Sequence, residues 1–192
     1  RQGYHFKEQS PKSIFRIGSI SKVFTAVMIM KLVEKGSLSL NTKLSKFYPQ
    51  LPNSNLITIK HLLEHRSGLV NFTSLPNYLE IAVNEQTESS LIKMFVKNGV
   101  DFKPGEKFKY SNTGYVTLSL IREKIHKQSF AEILEREVTA PLGLADTYIY
   151  EKDQPREREV VSYEFSSGWK KSTDTHQSVP MGAGAIASTA ND

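Results

Sequence analysis

The 192-residue chain contains no cysteine. That absence removes disulfides, thiolate nucleophiles and cysteine-ligated zinc from its chemistry, and it suits any redox compartment. No apolar run approaches the ~18 residues that a membrane-spanning helix requires. The most apolar stretch, Val23 to Met30, gives way at once to Lys31 and Glu34. Internal repeats and low-complexity linkers are also missing, so residues 1–192 read as one domain, or part of a larger one, with enough apolar residues for a core. The sequence starts on Arg1 rather than Met and therefore says nothing about a leader. The net charge is +5, but the basic residues are dispersed and, as in Glu151 to Glu159, mixed with acids. That pattern is a solvated surface rather than a nucleic-acid interface.

What is present is dominated by helical periodicity. Ser19 to Lys35 reads as a helix whose apolar residues (Ile20, Val23, Phe24, Val27, Met28, Met30, Leu32, Val33) cover most of its circumference. A helix apolar nearly all round is expected to be central and buried, and Gly36 is placed to stop it. Thr58 to His65 predicts a short helix with Thr58 as its N-cap. Thr87 to Asn98 is amphipathic and closes on Gly99. Phe102 to Lys109 is a loop built on Pro104-Gly105, and Asn112 to Lys127 is the next helix. Ser129 and Glu132 form a capping-box pattern opening a further helix, which Pro141 and Gly143 end. Residues 14–17, 145–150 and 158–165 read as extended. Gly182 to Thr189 reads as strand-like.

The chain holds three Ser-x-x-Lys tetrads. The spacing places hydroxyl and amine on one helical face, where an amine can activate an otherwise weak nucleophile. Ser90 to Lys93 lies within the amphipathic helix, where a solvated surface pair is the simpler reading, and Ser167 to Lys170 lies in a loop. Ser19 to Lys22 stands at the start of the most apolar helix, where unpaired N–H groups and the dipole favour negative charge. An N-capping serine is the competing explanation for Ser19.

Tyr110-Ser-Asn112 separates the two explanations. This single Tyr-x-Asn follows a Pro-Gly loop and precedes a helix. A phenol becomes a base when neighbouring ammonium groups favour its phenolate, and an asparagine offers both a donor and an acceptor for holding an amide. His61-Leu-Leu-Glu-His65 matches the His-x-x-Glu-His pattern of inverted zinc peptidases, with both histidines on one helical face. No third ligand follows in a helical context, which counts against a metal site. No metal and no cofactor is therefore expected. His5, His126 and His176 stand alone, as surface or loop residues would. Trp169 reads as a loop anchor, with the lining of a substrate cleft as the alternative.

Taken together, the segments 15–26 (Phe-Arg-Ile-Gly-Ser-Ile-Ser-Lys-Val-Phe-Thr-Ala), 61–69, 102–115, 141–144 (Pro-Leu-Gly-Leu) and 182–189 are collinear landmarks. In them the sequence resembles the serine β-lactamase and penicillin-binding DD-peptidase superfamily, in particular its class C β-lactamase and serine-esterase branch. The resemblance implies a mixed α/β (α+β) fold, an antiparallel sheet flanked by helices with a helical subdomain at about residues 40–145. It implies a serine hydrolase acting through an acyl-enzyme on a β-lactam, a D-Ala-D-Ala peptide or an ester. Ser19 would be the nucleophile, Lys22 would help remove its proton, Tyr110 would be the general base and Asn112 would bind the substrate's amide. The Ser19 N–H would supply half of an oxyanion hole. Small-molecule or peptidoglycan-peptide substrates and a periplasmic, extracellular or cell-envelope location follow from the same resemblance. The superfamily's third motif, Lys-Thr-Gly or His-x-Gly, does not occur in these residues. The expectation is thus a single partial domain that lacks most sheet strands and is inactive alone, the full-length protein being the enzyme. A module that binds without turnover is the alternative.

Overall fold

The computed structural model describes residues 2–4 and 10–192, the side chains only from residue 10 onward. Its helices follow the start and stop signals closely. Ser21–Glu34 forms α1, preceded by a 3-10 turn over Gly18–Ile20, and Gly36 takes the left-handed conformation (φ +69°) that ends it. Ile59–Leu63 is α2, Tyr78–Ala82 is α3, Glu88–Asn98 is α4 and Asn112–His126 is α5. Phe130–Leu134 is α6, and Ala140–Leu142 forms the short α7. Capping boxes open α2 at Thr58, α4 at Thr87 and α6 at Ser129, each pairing two N–H groups that the first turn would otherwise orphan.

Between α6 and α7 the backbone widens into a π-helical turn over Glu135–Thr139. Pro141 has no N–H to give to the carbonyl of Glu137 four residues back. That carbonyl instead accepts a bond from Lys31 Nζ on α1 at 2.8 Å. The proline expected to end the helix therefore sits inside a continuous helical run, and Gly143 (φ +70°) stops it.

The strands are short, and among the described residues each pair of strands is antiparallel, as the sequence resemblance implied, an isolated bridge between Ile14 and Glu159 being parallel. Gln2–Tyr4 (β1), Ser162–Phe165 (β4) and Trp169–Lys171 (β5) form one sheet in the order β1-β4-β5. Phe15–Arg16 (β2), Ile186–Ser188 (β6) and Tyr148–Ile149 (β3) form another in the order β2-β6-β3. Phe15 pairs with Ser188 and Tyr148 with Ala187, so β6 is central and wholly buried. The largest core cluster joins α1, α2, α4 and α5 through residues such as Ile29, Leu62, Phe95 and Leu118.

Three expectations change. α2 ends at Leu63 rather than His65, because His65 adopts φ +55°, which no right-handed helix accommodates. Gly182 and Ala183 are not strand but part of a 3-10 turn, Met181–Ala183, that precedes β6. The turn is pressed between α1 and α5: a Cβ on Gly182 would meet Thr25 Oγ1 at 2.2 Å and Ser119 Oγ at 2.4 Å. Finally, α1 is not buried all round. Ile20, Val23, Val27 and Met30 form an exposed stripe, with Val23 61% accessible.

Candidate active site

The site forms where the start of α1, the start of α5 and the Met181–Ala183 turn meet. Gly18 (φ +53°) turns the chain out of β2 so that Ser19 stands exposed at the mouth of α1. Ser19 does not cap the helix: its Oγ makes no capping bond and lies instead 2.7 Å from the Tyr110 hydroxyl. Lys22, one turn along α1, donates to the same Oγ at 3.1 Å. Its two remaining N–H bonds go to Asn112 Oδ1 at 2.8 Å and the Ala183 carbonyl at 2.7 Å. The ammonium thus spends all three donors, every one on a neutral oxygen.

Lys22 is buried, at 7% accessible. Among the described residues it has no carboxylate within ion-pair distance. Burial without a counter-charge pushes its amine below the usual lysine range, while Tyr110 acts in the opposite direction. A lysine so placed gives up a proton more readily than a surface one, which is the property a catalytic base requires. Lys22 Nζ also lies 4.9 Å from the centre of the Tyr110 ring. It is the ammonium group that the structure sets against Tyr110.

Asn112 is the first residue of α5, and its amide is oriented from both ends. Oδ1 accepts from Lys22, and Nδ2 donates to Thr73 Oγ1 at 3.0 Å. Its backbone N–H goes to Asn71 Oδ1 at 2.9 Å, and Asn71 Nδ2 in turn donates to Thr73 Oγ1 at 2.8 Å. All four residues singled out in the sequence therefore converge: Ser19, Lys22, Tyr110 and Asn112 form one hydrogen-bonded group.

The remaining tetrads do not join it. Ser90 Oγ caps α4 by accepting from the Thr87 N–H, and it donates to Gln86 Oε1. Ser167 lies in the hairpin between β4 and β5, where Lys170 pairs in register with Glu164. The two histidines of the His-x-x-Glu-His segment are both turned to backbone. His61 Nδ1 accepts from the Thr58 N–H, and His65 Nδ1 accepts from the Ser111 N–H. They do not share a helical face, since the helix ends between them, and no cluster of three potential metal ligands occurs among the described residues.

Sequence reasoning missed five contributors. The Ala183 carbonyl is a backbone group without a side-chain signature, although the glycine beside it marks the close approach. Thr73 and Asn71 belong to a polar loop that carries no motif. Ser21 and Thr25, on the buried face of α1, secure the turn: Ser21 Oγ accepts from the Ile186 N–H at 3.1 Å and Thr25 Oγ1 donates to the Gly182 carbonyl at 2.8 Å.

A family model described as Beta-lactamase matches residues 4–192. Among curated proteins, the chain is 35% identical over 158 residues to "Penicillin-binding protein 4*" of Bacillus subtilis (strain 168), covering 76% of this chain and 33% of that protein. It is 26% identical over 172 residues to the "Teichoic acid D-alanine hydrolase" of Staphylococcus aureus, covering 86% of this chain and 42% of that one. Among solved structures, a D-amino acid amidase from Ochrobactrum anthropi SV3, complexed with L-phenylalanine amide, superposes with a TM-score of 0.82 at 27% identity. That match covers 98% of this chain and 60% of the amidase chain. The chain thus spans between a third and a half of the length of these curated relatives.

Proposed function

Because the chain belongs to the Beta-lactamase family, within the serine β-lactamase and penicillin-binding protein superfamily, we propose that it carries the nucleophile of a serine hydrolase acting through an acyl-enzyme. The observation that carries this reading is the approach of Ser19 Oγ to both the Tyr110 hydroxyl and the buried, carboxylate-free Lys22 amine. Lys22 donates to Ser19 Oγ, which leaves the serine's own proton free to point at Tyr110 Oη. Tyr110, supported by Lys22, takes that proton as Oγ attacks the carbonyl carbon. When the tetrahedral intermediate collapses, the bond to the leaving nitrogen or oxygen breaks and that atom receives the proton. Water then attacks the ester on Ser19 by the same relay in reverse. The Ser19 N–H serves as one oxyanion donor. Asn112 positions the substrate's amide, and must release Thr73 to offer its Nδ2.

The substrate we infer is a D-amino-acyl ester or amide, the chemistry shared by the printed names of the teichoic acid D-alanine hydrolase and the D-amino acid amidase. A β-lactam and a D-Ala-D-Ala peptide present the same kind of acyl group. Such substrates belong to the cell envelope, and an extracellular, periplasmic or envelope location follows. No helix among the described residues is long and apolar enough to cross a membrane. We also infer that residues 1–192 make up one partial domain with its helical region at about 40–145. A module that binds without turnover remains the second reading, but it gives no physical reason to bury a lysine against a serine.

Intact-mass spectrometry of the full-length protein tests the proposal, using benzylpenicillin and, separately, p-nitrophenyl acetate. An adduct that maps to Ser19 and disappears in Ser19→Ala is expected. Ester turnover that survives Ser19→Ala unchanged would overturn it.

A further inference from the structure

The loop carrying Tyr110 is held along its whole length by one short segment, residues 65–70. Val70 N donates to the Gly99 carbonyl, Asp101 N to the Gly68 carbonyl and Gly105 N to the Arg66 carbonyl. Gly68 (φ +79°) lies so close that a Cβ there would meet the Phe102 carbonyl oxygen at 2.1 Å. At the end of this template stands His65, which brackets the tyrosine. Its carbonyl accepts the Lys109 N–H at 2.9 Å, and its Nδ1 accepts the Ser111 N–H at 3.2 Å. Its ring stacks on that of Tyr110, the centroids 4.5 Å apart and the planes at 29°. One residue thus holds the backbone on both sides of Tyr110 and the ring between them.

The arrangement requires a particular state of the imidazole. Nδ1 accepts from a backbone N–H, so it carries no proton, and the neutral ring bears its hydrogen on Nε2. Burial and the Lys22 charge both hold His65 below the usual imidazole range, in keeping with that state. The left-handed backbone (φ +55°) is what aims the ring back along the loop. A non-glycine residue there is uncommon and costs local strain, which a purely connecting residue has no reason to carry.

We propose that His65 is the positioning residue for Tyr110: it sets the distance from the phenol to Ser19 Oγ and touches no substrate itself. The inference rests on the base role proposed for Tyr110. Hydrogen exchange provides a test that needs no turnover. His65→Gly adopts the left-handed backbone without strain and removes both the stacking ring and the Nδ1 acceptor of Ser111 N. In the full-length variant, exchange in a peptide spanning 107–111 should rise at least tenfold, with a peptide spanning 112–126 unchanged. Unchanged protection at 107–111 would overturn the proposal.

The kinetic test is a double-mutant cycle on p-nitrophenyl acetate hydrolysis. His65→Gly should lower kcat by about 10- to 100-fold, with KM within about threefold, since a small misplacement of a reacting group costs that much. Added to Tyr110→Phe, it should cost almost nothing more. Full additivity of the two substitutions would reduce His65 to a structural residue and overturn the proposal. His65→Asn, which tolerates the left-handed backbone and removes the stacking ring, repeats the cycle if the Gly variant folds poorly. If Tyr110→Phe alone leaves turnover intact, the base assignment has failed. If it damages turnover while His65→Gly does not, the positioning role alone has failed.

Discussion

Helices α1 and α5 each deliver a residue to the site, Lys22 and Asn112, yet they are buried in opposite ways. α1 is the more apolar of the two and leaves a stripe of Val23, Val27 and Met30 open to solvent. α5 is rich in polar residues and is buried from Thr113 through Arg122. The difference is one of partners. Thr117 Oγ1 donates to the Thr113 carbonyl at 2.7 Å, and Ser119 Oγ to the Tyr115 carbonyl at 3.0 Å, within the helix. Thr113 Oγ1 donates to the Val70 carbonyl, and Arg122 pairs with Glu137. Each of these side chains has a partner in the core, which offsets much of the cost of its burial; only Arg122 keeps two nitrogens, Nε and Nη1, without one. The polar residues of α1 are paired too: Ser21, Lys22 and Thr25 on the face that meets the 182–186 segment, and Lys31 on the Glu137 carbonyl. The apolar residues of its opposite face meet nothing among the described residues that covers them. Burial thus tracks what each face is offered, not how apolar its residues are.

The sharpest way to probe the comparison is to remove the charged group that each helix buries. Lys22→Ala in the full-length protein should reduce acylation by benzylpenicillin by about 10²- to 10⁴-fold, the range of a general-base contribution. The fold should be kept, because a buried amine without a carboxylate partner contributes little to stability. Quench-flow labelling and circular dichroism measure the two effects. Loss of the fold together with activity would mean that Lys22 is structural. Arg122→Ala is the counterpart on α5. It takes from Glu137 its buried partner and leaves Arg136 and His126 on the other oxygen, so it should destabilise by about 3 kcal/mol in urea denaturation, the lower end of the range for a broken buried pair. Replacing the pair together, Arg122→Met with Glu137→Leu, should recover most of that loss.

A smaller effect is expected where α5 meets the turn that accepts from Lys22. Ser119 Oγ accepts the buried Gly182 N–H at 3.1 Å. Ser119→Ala orphans that donor and should cost about 1–3 kcal/mol. Because the same turn presents the Ala183 carbonyl to Lys22, kcat should fall with stability. A variant that loses stability at unchanged kcat would show that the turn does not need this anchor to hold the lysine.

How much of this was legible in the sequence depends on whether a feature resides in side chains or in backbone. The four-residue group was legible because Ser19, Lys22, Tyr110 and Asn112 meet through side chains at fixed spacings. Helix ends were legible at Thr58, Thr87, Ser129, Gly36 and Gly99 because capping is local chemistry. The Ala183 carbonyl was not, since any residue carries one. His65 was conspicuous only for matching a metal pattern that the sequence reading set aside, and its hold on Tyr110 was not visible. Its spacing from His61 matched a metal pair, and only the left-handed backbone at 65, invisible in sequence, separates the two rings. The π-helical turn escaped because Pro141 ordinarily ends a helix. Here Lys31 rescues the carbonyl that the proline leaves unpaired. The open stripe on α1 escaped because an apolar residue records its preference for burial and not whether a partner is at hand.

That last point yields the smallest effect and the most direct test of the comparison. Met30 on the stripe is 44% accessible, whereas Leu118 on α5 is fully buried. In the 192-residue chain, Met30→Ala should change unfolding stability by no more than about 0.5 kcal/mol, as for other exposed positions. Leu118→Ala should cost about 2–5 kcal/mol, because it leaves a cavity among α1, α2 and α5. Urea denaturation of both variants gives the comparison directly. Equal costs would mean that the stripe is as well covered as α5 and would erase the distinction between the helices. The same Met30→Ala measured in the longer protein reads the difference independently. A cost there well above the one in residues 1–192 would show that the stripe is closed by the rest of the molecule, with Lys22 on the adjoining face enclosed by the same contact.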